Sequence, residues 1–413
     1  MPTFATLKDG INILRVLTSA PHRLLFACGA IAVVLTMLWW SLWLANARFA
    51  LGVMPPTPVE LPAGWAHAML AQYGMLPLFM CGFLLTVFPR WLDLRPLSKW
   101  HYVPVAAGIL GGYILVHGGL MGVPWLIKFG FGLMTAGYLT VLFALASMIA
   151  AARSFDPWAL SCASAIALGT LGLMSFLAYL LGASWWWAFF AIKLGTFGLL
   201  LPIFFTVCHR MIPFFSGNFA ARYRIVRPLW SLALVWTLLL AHLMLELAHA
   251  FAWTWPIDLS LTVIFAWHAF VWQPWKCMRP GLLAALYLAF AWLPIAFTMY
   301  AAQGLIYAIS AQFVLGRAPL HALTIGFFGS MLVAMVTRVT QGHSGRPLQM
   351  GAVAWTCFVM LQGVVLVRIV AEVATDTGFW LVVAAFGWLL AFLPWIAGSL
   401  GIYATPRADG KPG

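Results

Sequence analysis

Charge is what this chain has least of. Only 8% of its 413 residues are Asp, Glu, Lys or Arg, and the acidic ones number nine. A soluble domain carries about a quarter charged residues. No core absorbs a composition that is 64% hydrophobic with a mean hydropathy of +0.98, so the solvent around this chain is lipid. Cysteine is sparse as well. The six present (Cys28, Cys81, Cys162, Cys208, Cys277, Cys357) fall mostly inside apolar runs and form no C-x-x-C pair. That argues against a disulfide framework and for buried, inert thiols. The absence of C-x-x-C-H excludes a covalently attached c-type haem.

What is there is apolar length. Segments of about twenty residues, enough to cross a bilayer, occur near 24–45, 64–89, 102–121, 125–152, 158–181, 184–208, 229–253, 257–275, 281–305, 318–340, 350–373 and 378–403. The expectation is an all-α, polytopic membrane protein of about 12 transmembrane helices. Residues 1–23 would form an N-terminal cytoplasmic segment, 24–403 a single transmembrane domain and 404–413 a cytoplasmic tail. The run from Leu24 to Ala45 is too long for a signal-peptide core and has no clear cleavage site, so it reads as the first span.

The formal charge of +13 would suggest nucleic acid in a soluble protein, but here the basic residues stand singly between apolar runs. With the N-terminus inside, alternate loops collect Lys8, Arg15, Arg23, Arg90, Arg95, Lys99, Arg153, Arg210, Arg222, Arg224, Arg227, Lys276, Arg279, Arg338, Arg346, Arg407 and Lys411 on the cytoplasmic side. The other side receives Arg48, Lys128, Arg317 and Arg368, and Lys193 stays inside a span. A miscounted helix would scramble such a bias, so the topology reads N-in/C-in. Three spans end alike, in TVFPR (86–90), TVCHR (206–210) and MVTR (335–338). These are relics of a repeated four-helix unit, or separate instances of an arginine at the inner interface.

Histidines sort by depth. His67, His117, His249 and His321 fall near the outer face, and His22, His101, His209 and His343 near the inner one. Ionisable groups inside a membrane tend to face cavities, cofactors or one another. His321 and His343 bound one predicted helix. They are 22 positions apart, ~33 Å along an α-helix, so they serve two layers. Along that helix Phe328, Met331, Met335 and Arg338 share a face, and Gly326 and Gly329 permit close approach of a helix or a flat ligand. Gly342 and Gly345 suit a positive φ at its end, before Pro347. His242, Glu246 and His249 form a second stripe, at offsets that suit a metal site or a proton relay. The plainer account of Glu246 and His249 is contact with outer headgroups.

His67 enters from the same face as His321, and two imidazoles on facing helices are the usual way to hold a b-type haem. Arginines would then pair with its propionates. The inner set, His22, His209, Arg210, Arg338, His343 and Arg346, is an equally good place for haem or metal. No adjacent His-His pair and no H-P-E-V-Y-like segment occurs, so the haem–copper oxidase and nitric oxide reductase constellation is absent.

HALTIGFFGSMLVAMVTRVTQGHSGRPL (321–348) closely resembles the signature of the NnrS family, twelve-helix bacterial membrane proteins associated with haem, copper and nitric oxide stress. PHRLLF (21–26), GFLLTVFPRW (82–91), RMIPFFS (210–216) and LYLAFAWLP (286–294) support the resemblance along the chain. It implies functional roles for His321, Arg338, His343, Gly345 and Arg346. Met69 and Leu70 stand where the family carries the later residues of a His-x-His-Glu segment, and Tyr287 where it tends to have histidine. Loss of one centre, copper before haem, is what those departures imply.

The leading expectation is therefore a haem-binding, and potentially copper-binding, protein of the bacterial inner membrane, engaged in resistance to nitric oxide or in denitrification. His321 and His67 are its outer ligands, His343, His22 and His209 the inner set, and Arg338 and Arg346 the anion contacts. Its partners are the bilayer and a small ligand such as nitric oxide, with no nucleic acid and no identified electron donor. The rival is a proton- or metal-coupled small-ligand transporter or channel using His242, Glu246 and Lys193. A scaffold for a membrane partner is the third.

Overall fold

The computed structural model of the chain describes residues 13–410. Lys8 and Lys411, counted in the charge bias, lie outside the described residues. Twelve helices long and apolar enough to cross a membrane account for nearly everything described. They are α1 Pro21–Phe49, α2 Ala63–Trp91, α3 Lys99–Leu120, α4 Trp125–Ala151, α5 Pro157–Leu180 and α6 Trp186–Gly217. The second half holds α7 Leu229–Leu247, α8 Phe251–Lys276, α9 Gly281–Ser310, α10 Ala318–Ser344, α11 Ala352–Val370 and α12 Thr377–Tyr403. No strand occurs among the described residues. An even number of crossings puts the start of α1 and the end of α12 on one face, called here the terminal face, with the far face opposite.

Local chemistry fixes the ends. Pro21 opens α1 and Pro157 opens α5, positions where the missing N–H is no loss. Asp156 caps α5 by accepting the Ala159 N–H at 2.9 Å, and Asp376 caps α12 by accepting that of Phe379 at 3.0 Å. Gly345 closes α10 at φ 70°, whereas Gly342 stays within the helix. Two of the boundaries that differ from the sequence reading bear on the histidine clusters. Helix α1 starts at Pro21 rather than 24, which draws His22 and Arg23 into the helix. Helix α6 runs on to Gly217, because burial of Ile212 and Ser216 carries it past Pro213 and shortens the polar loop to 218–228.

The helices are not equivalent. The most apolar windows of α2, α6 and α10 are 89%, 78% and 78% buried, against 33–67% for the other nine. These three form the heart of the bundle. Each carries a π-helical segment, Ala71–Met75, Gly195–Leu200 and Ala322–Gly329. In α2 and α6 a proline follows two residues later, Pro77 and Pro202, and a widened turn absorbs the carbonyl that its ring would strike. Helix α10 has Met331 there and two glycines instead. The same three helices bear the TVFPR, TVCHR and MVTR endings, so the spacing of four spans recurs in backbone geometry as well as in sequence. Outside the heart, α3 and α4 meet backbone to backbone. A Cβ on Gly112 would overlap Gly130, so the small residues set the approach.

An apolar cavity of about 50 Å³ lies among α1, α2, α6 and α10, lined by Phe79, Phe83, Phe204, Met331 and Met335 among others.

Candidate functional site

Helix α10 reaches both faces, and its two terminal histidines belong to different clusters. At the far face, His321 Nδ1 lies 2.9 Å from the Arg317 carbonyl. A carbonyl only accepts, so Nδ1 carries the proton and Nε2 keeps a free lone pair, the state in which imidazole binds a metal. The charges of Arg368 and Arg317 act on this ring, and His67 lies close enough to couple with it. His67, on α2, feels Arg368 and Arg317 in turn. Its ring stacks on Trp40 of α1 with centroids 4.4 Å apart, and its buried Nδ1 has no hydrogen-bond partner. Arg368 is itself buried and pairs with Glu372 at 2.5 Å. Nearby, His117 donates from Nδ1 to the Tyr113 carbonyl at 2.9 Å, and its Nε2 is buried without a partner.

At the terminal face, His343 packs directly against His22 of α1, with ring centroids 4.5 Å apart and planes tilted by 44°. The charges of Arg23, Arg90 and Arg407 bear on both. Arg23 donates to the carbonyls of Tyr403 and Thr405 at 3.3 and 2.7 Å, and Arg407 to that of His343 at 3.0 Å. Rings already in contact leave no space between them for a macrocycle. Arg346 leaves one Nη1 buried and unpartnered.

His209 does not join that inner set. Trp158 donates to its Nδ1 at 3.0 Å, so its proton sits on Nε2 and goes to Ser231 Oγ at 3.2 Å. Ser231 spends its own proton on the Pro228 carbonyl at 2.8 Å and accepts a second N–H from His268 Nε2 at 3.1 Å. One hydroxyl thus clamps α6, α7 and α8 through two histidines. The reason is placement: His209 faces α5, α7 and α8, away from α1. Arg338 is also set apart, its guanidinium 3.8 Å from the Phe215 ring centroid. The shared face read from spacing is nonetheless present. Phe328 stacks on Phe204 of α6 at 4.6 Å, and Met331 and Met335 line the central cavity. Gly326 lies against the Trp292 indole of α9, where a Cβ would approach within 2.7 Å.

The stripe His242–Glu246–His249 is broken. Helix α7 ends at Leu247, and His249 turns out at φ 54° to stack on Phe189, with centroids 5.2 Å apart. In its place Asp258 of α8 meets His242 Nδ1 at 2.6 Å, and Lys193 of α6 meets Glu246 at 2.9 Å. Among the described residues no group of three or more His, Cys, Asp or Glu is placed to hold a metal ion.

The NnrS protein family model matches residues 16–407. The chain belongs to the NnrS family. No curated protein matches it. The NnrS match extends over all twelve helices, and with them over both histidine clusters and the ion network of α6–α8. Membership puts the chain among nitric oxide-related membrane proteins.

Several residues of these clusters escape a reading by histidine spacing. Arg317 and Arg368 did leave a signal, as two of the four cations that the charge bias assigns to the far face. Asp258 left none beyond its position near that face, and Ser231 none at all.

Proposed function

We propose that this NnrS member is a haem-binding protein of the bacterial inner membrane, acting in the response to nitric oxide, with its terminal face in the cytoplasm. His67 and His321 would hold the haem iron, and Arg317 and Arg368 would pair with the haem's carboxylates. One observation carries the reading: α2 and α10 bring two histidines into one far-face cluster with two arginines, and His321 presents an unprotonated Nε2. Copper(II) takes a tetragonal set of nitrogen and oxygen donors, and no group of three or more His, Cys, Asp or Glu stands together among the described residues, while haem iron arrives with four ring nitrogens and asks the protein for one or two. Pairs of donors therefore fit haem b, and no copper centre is proposed.

The chain's own part is positional. The Arg317 carbonyl fixes the tautomer of His321, and Trp40 holds the plane of His67. Arg368, braced by Glu372, supplies positive charge in a site where it is hard to screen. A bound haem supplies reversible nitric oxide binding and one-electron redox change. The central cavity, lined by phenylalanine and methionine, suits a small neutral molecule better than an ion or water.

The test is a pyridine haemochrome and a reduced-minus-oxidised spectrum of the purified protein after haem-sufficient expression. A b-type signal is expected. A colourless protein would overturn the reading and favour the proton- or metal-coupled transporter. That rival is supported by one specific observation, the ion network of α6–α8.

A further inference from the structure

That network sits where water does not solvate charge. Lys193 enters near the start of α6, Glu246 and His242 close α7, and Asp258 begins α8, so all three helices bring their ionisable groups to the far-face half of the bundle. Side-chain exposure falls stepwise along the row: 27% for Lys193, 9% for Glu246, 1% for His242 and 0% for Asp258. The contacts are Lys193 Nζ to Glu246 Oε1 at 2.9 Å and His242 Nδ1 to Asp258 Oδ1 at 2.6 Å. Between the pairs, His242 Nε2 and Glu246 Oε2 are 3.7 Å apart, too far for a hydrogen bond. Both of those atoms and Asp258 Oδ2 are buried without a partner.

Charge counting decides what the row holds. Two carboxylates face one ammonium. A neutral His242 leaves one uncompensated negative charge in an apolar setting, which is costly. One added proton cancels it. That proton gives His242 a second N–H, so that Nδ1 donates to Asp258 while Nε2 points at Glu246. A metal cation is a poorer fit, because the Lys193 ammonium already occupies the open carboxylate. The other groups facing the row are the Tyr300 hydroxyl of α9, on which both carboxylates act, and Thr254 beside Asp258, whose hydroxyl donates to the Phe251 carbonyl at 3.1 Å.

The row is closed below. Phe197 packs against His242 at 4.3 Å between centroids, Phe265 against Phe205 and Phe297 at 5.3 Å each, and the next polar cluster, His209–Ser231–His268, lies beyond these rings. We propose that Lys193, Glu246, His242 and Asp258 form a one-proton binding site, loaded from the far face and sealed from the terminal face by Phe197, Phe205, Phe265 and Phe297. It takes up a proton by binding alone, with no bond to a heavy atom made or broken. The site stands apart from the haem reading and neither supports nor needs it.

The test uses the full-length protein in nanodiscs with ¹⁵N-labelled histidine, the His242 resonances being assigned by their loss in His242→Gln. Nitrogen shifts separate imidazolium from neutral imidazole without reference to haem. At pH 7.5, where an exposed histidine is mostly neutral, His242 is expected to be an imidazolium. Asp258→Asn should convert it to the neutral form with at least a tenfold change in its charged fraction. Glu246→Gln serves as the second variant should Asp258→Asn fail to fold, and the same conversion is expected. A neutral His242 in the unaltered protein, or an imidazolium unmoved by either substitution, would overturn the proposal. In liposomes, Phe265→Ala should raise protein-dependent proton leak severalfold over the intact chain. An equal leak in both would overturn the sealed direction of loading.

Discussion

The two ends of α10 use the same residue for different ends. At the terminal face His343 lies ring to ring with His22 at 4.5 Å, amid Arg23, Arg90 and Arg407. At the far face His321 is tied to the Arg317 carbonyl, and His67 is turned onto Trp40 at 4.4 Å. Contact between two imidazoles fills the space between them. At the far face each imidazole is instead oriented by a different neighbour. The arginines differ as well, since Arg23 and Arg407 donate to backbone carbonyls and fasten the C-terminal end of α12 and the last turn of α10. Arg368 pairs instead through Nη1 with a single carboxylate, that of Glu372. Histidine and arginine thus form a clasp of ring contact and backbone hydrogen bonds at one end, and at the other a cluster to which the proposed function assigns the ligand.

The largest effect is expected from His321→Ala, which should abolish the b-type signal, whereas His343→Ala should leave it in place; absorbance at fixed protein concentration checks both. Arg368→Gln should weaken haem retention about tenfold to a hundredfold, the value of one charge-assisted hydrogen bond, measured by transfer to apomyoglobin. The same variant should lower the midpoint potential, because loss of a positive charge favours the oxidised iron. Gly326→Ala strikes the Trp292 indole and should cost about 1–3 kcal/mol, read as a lower unfolding midpoint with the spectrum retained. The smallest effect belongs to the exposed Arg48–Asp376 pair at 2.6 Å. Its hydrogen bond from Arg48 holds the Asp376 carboxyl below the usual range. What it contributes is therefore present at neutral pH and above, and lost as pH falls through that lowered value. Asp376→Asn should remove this pH dependence while shifting the unfolding midpoint little.

The bundle was legible because lipid punishes every polar residue, so apolar length alone marks the spans to within a few residues at most ends. Helix α6 escaped this because its last turns are held by burial of Ile212 and Ser216 beyond the apolar run. The stripe from Phe328 to Arg338 was legible from helical spacing, and the repeated TVFPR, TVCHR and MVTR endings from simple recurrence. Partners across helices were not. His22 and His343 meet over 321 positions, and nothing local states that α1 adjoins α10. His209 looked like their companion because depth was known and azimuth was not. Of the His242 stripe, His242 and Glu246 do lie side by side, 3.7 Å apart, and His249 was lost to a helix that ended two residues earlier. The repetition of four spans gained meaning only with the π segments of α2, α6 and α10, which no residue pattern in α10 announces by a proline.

The central claim is that the far-face pair, and not the terminal-face pair, takes the haem. Low-temperature electron paramagnetic resonance of the oxidised protein, beside His67→Ala and His343→Ala, tests it most directly. The account predicts a low-spin, bis-histidine ferric signal that becomes high-spin in His67→Ala and is unaltered in His343→Ala. A low-spin signal that survives His67→Ala and disappears in His343→Ala would contradict it.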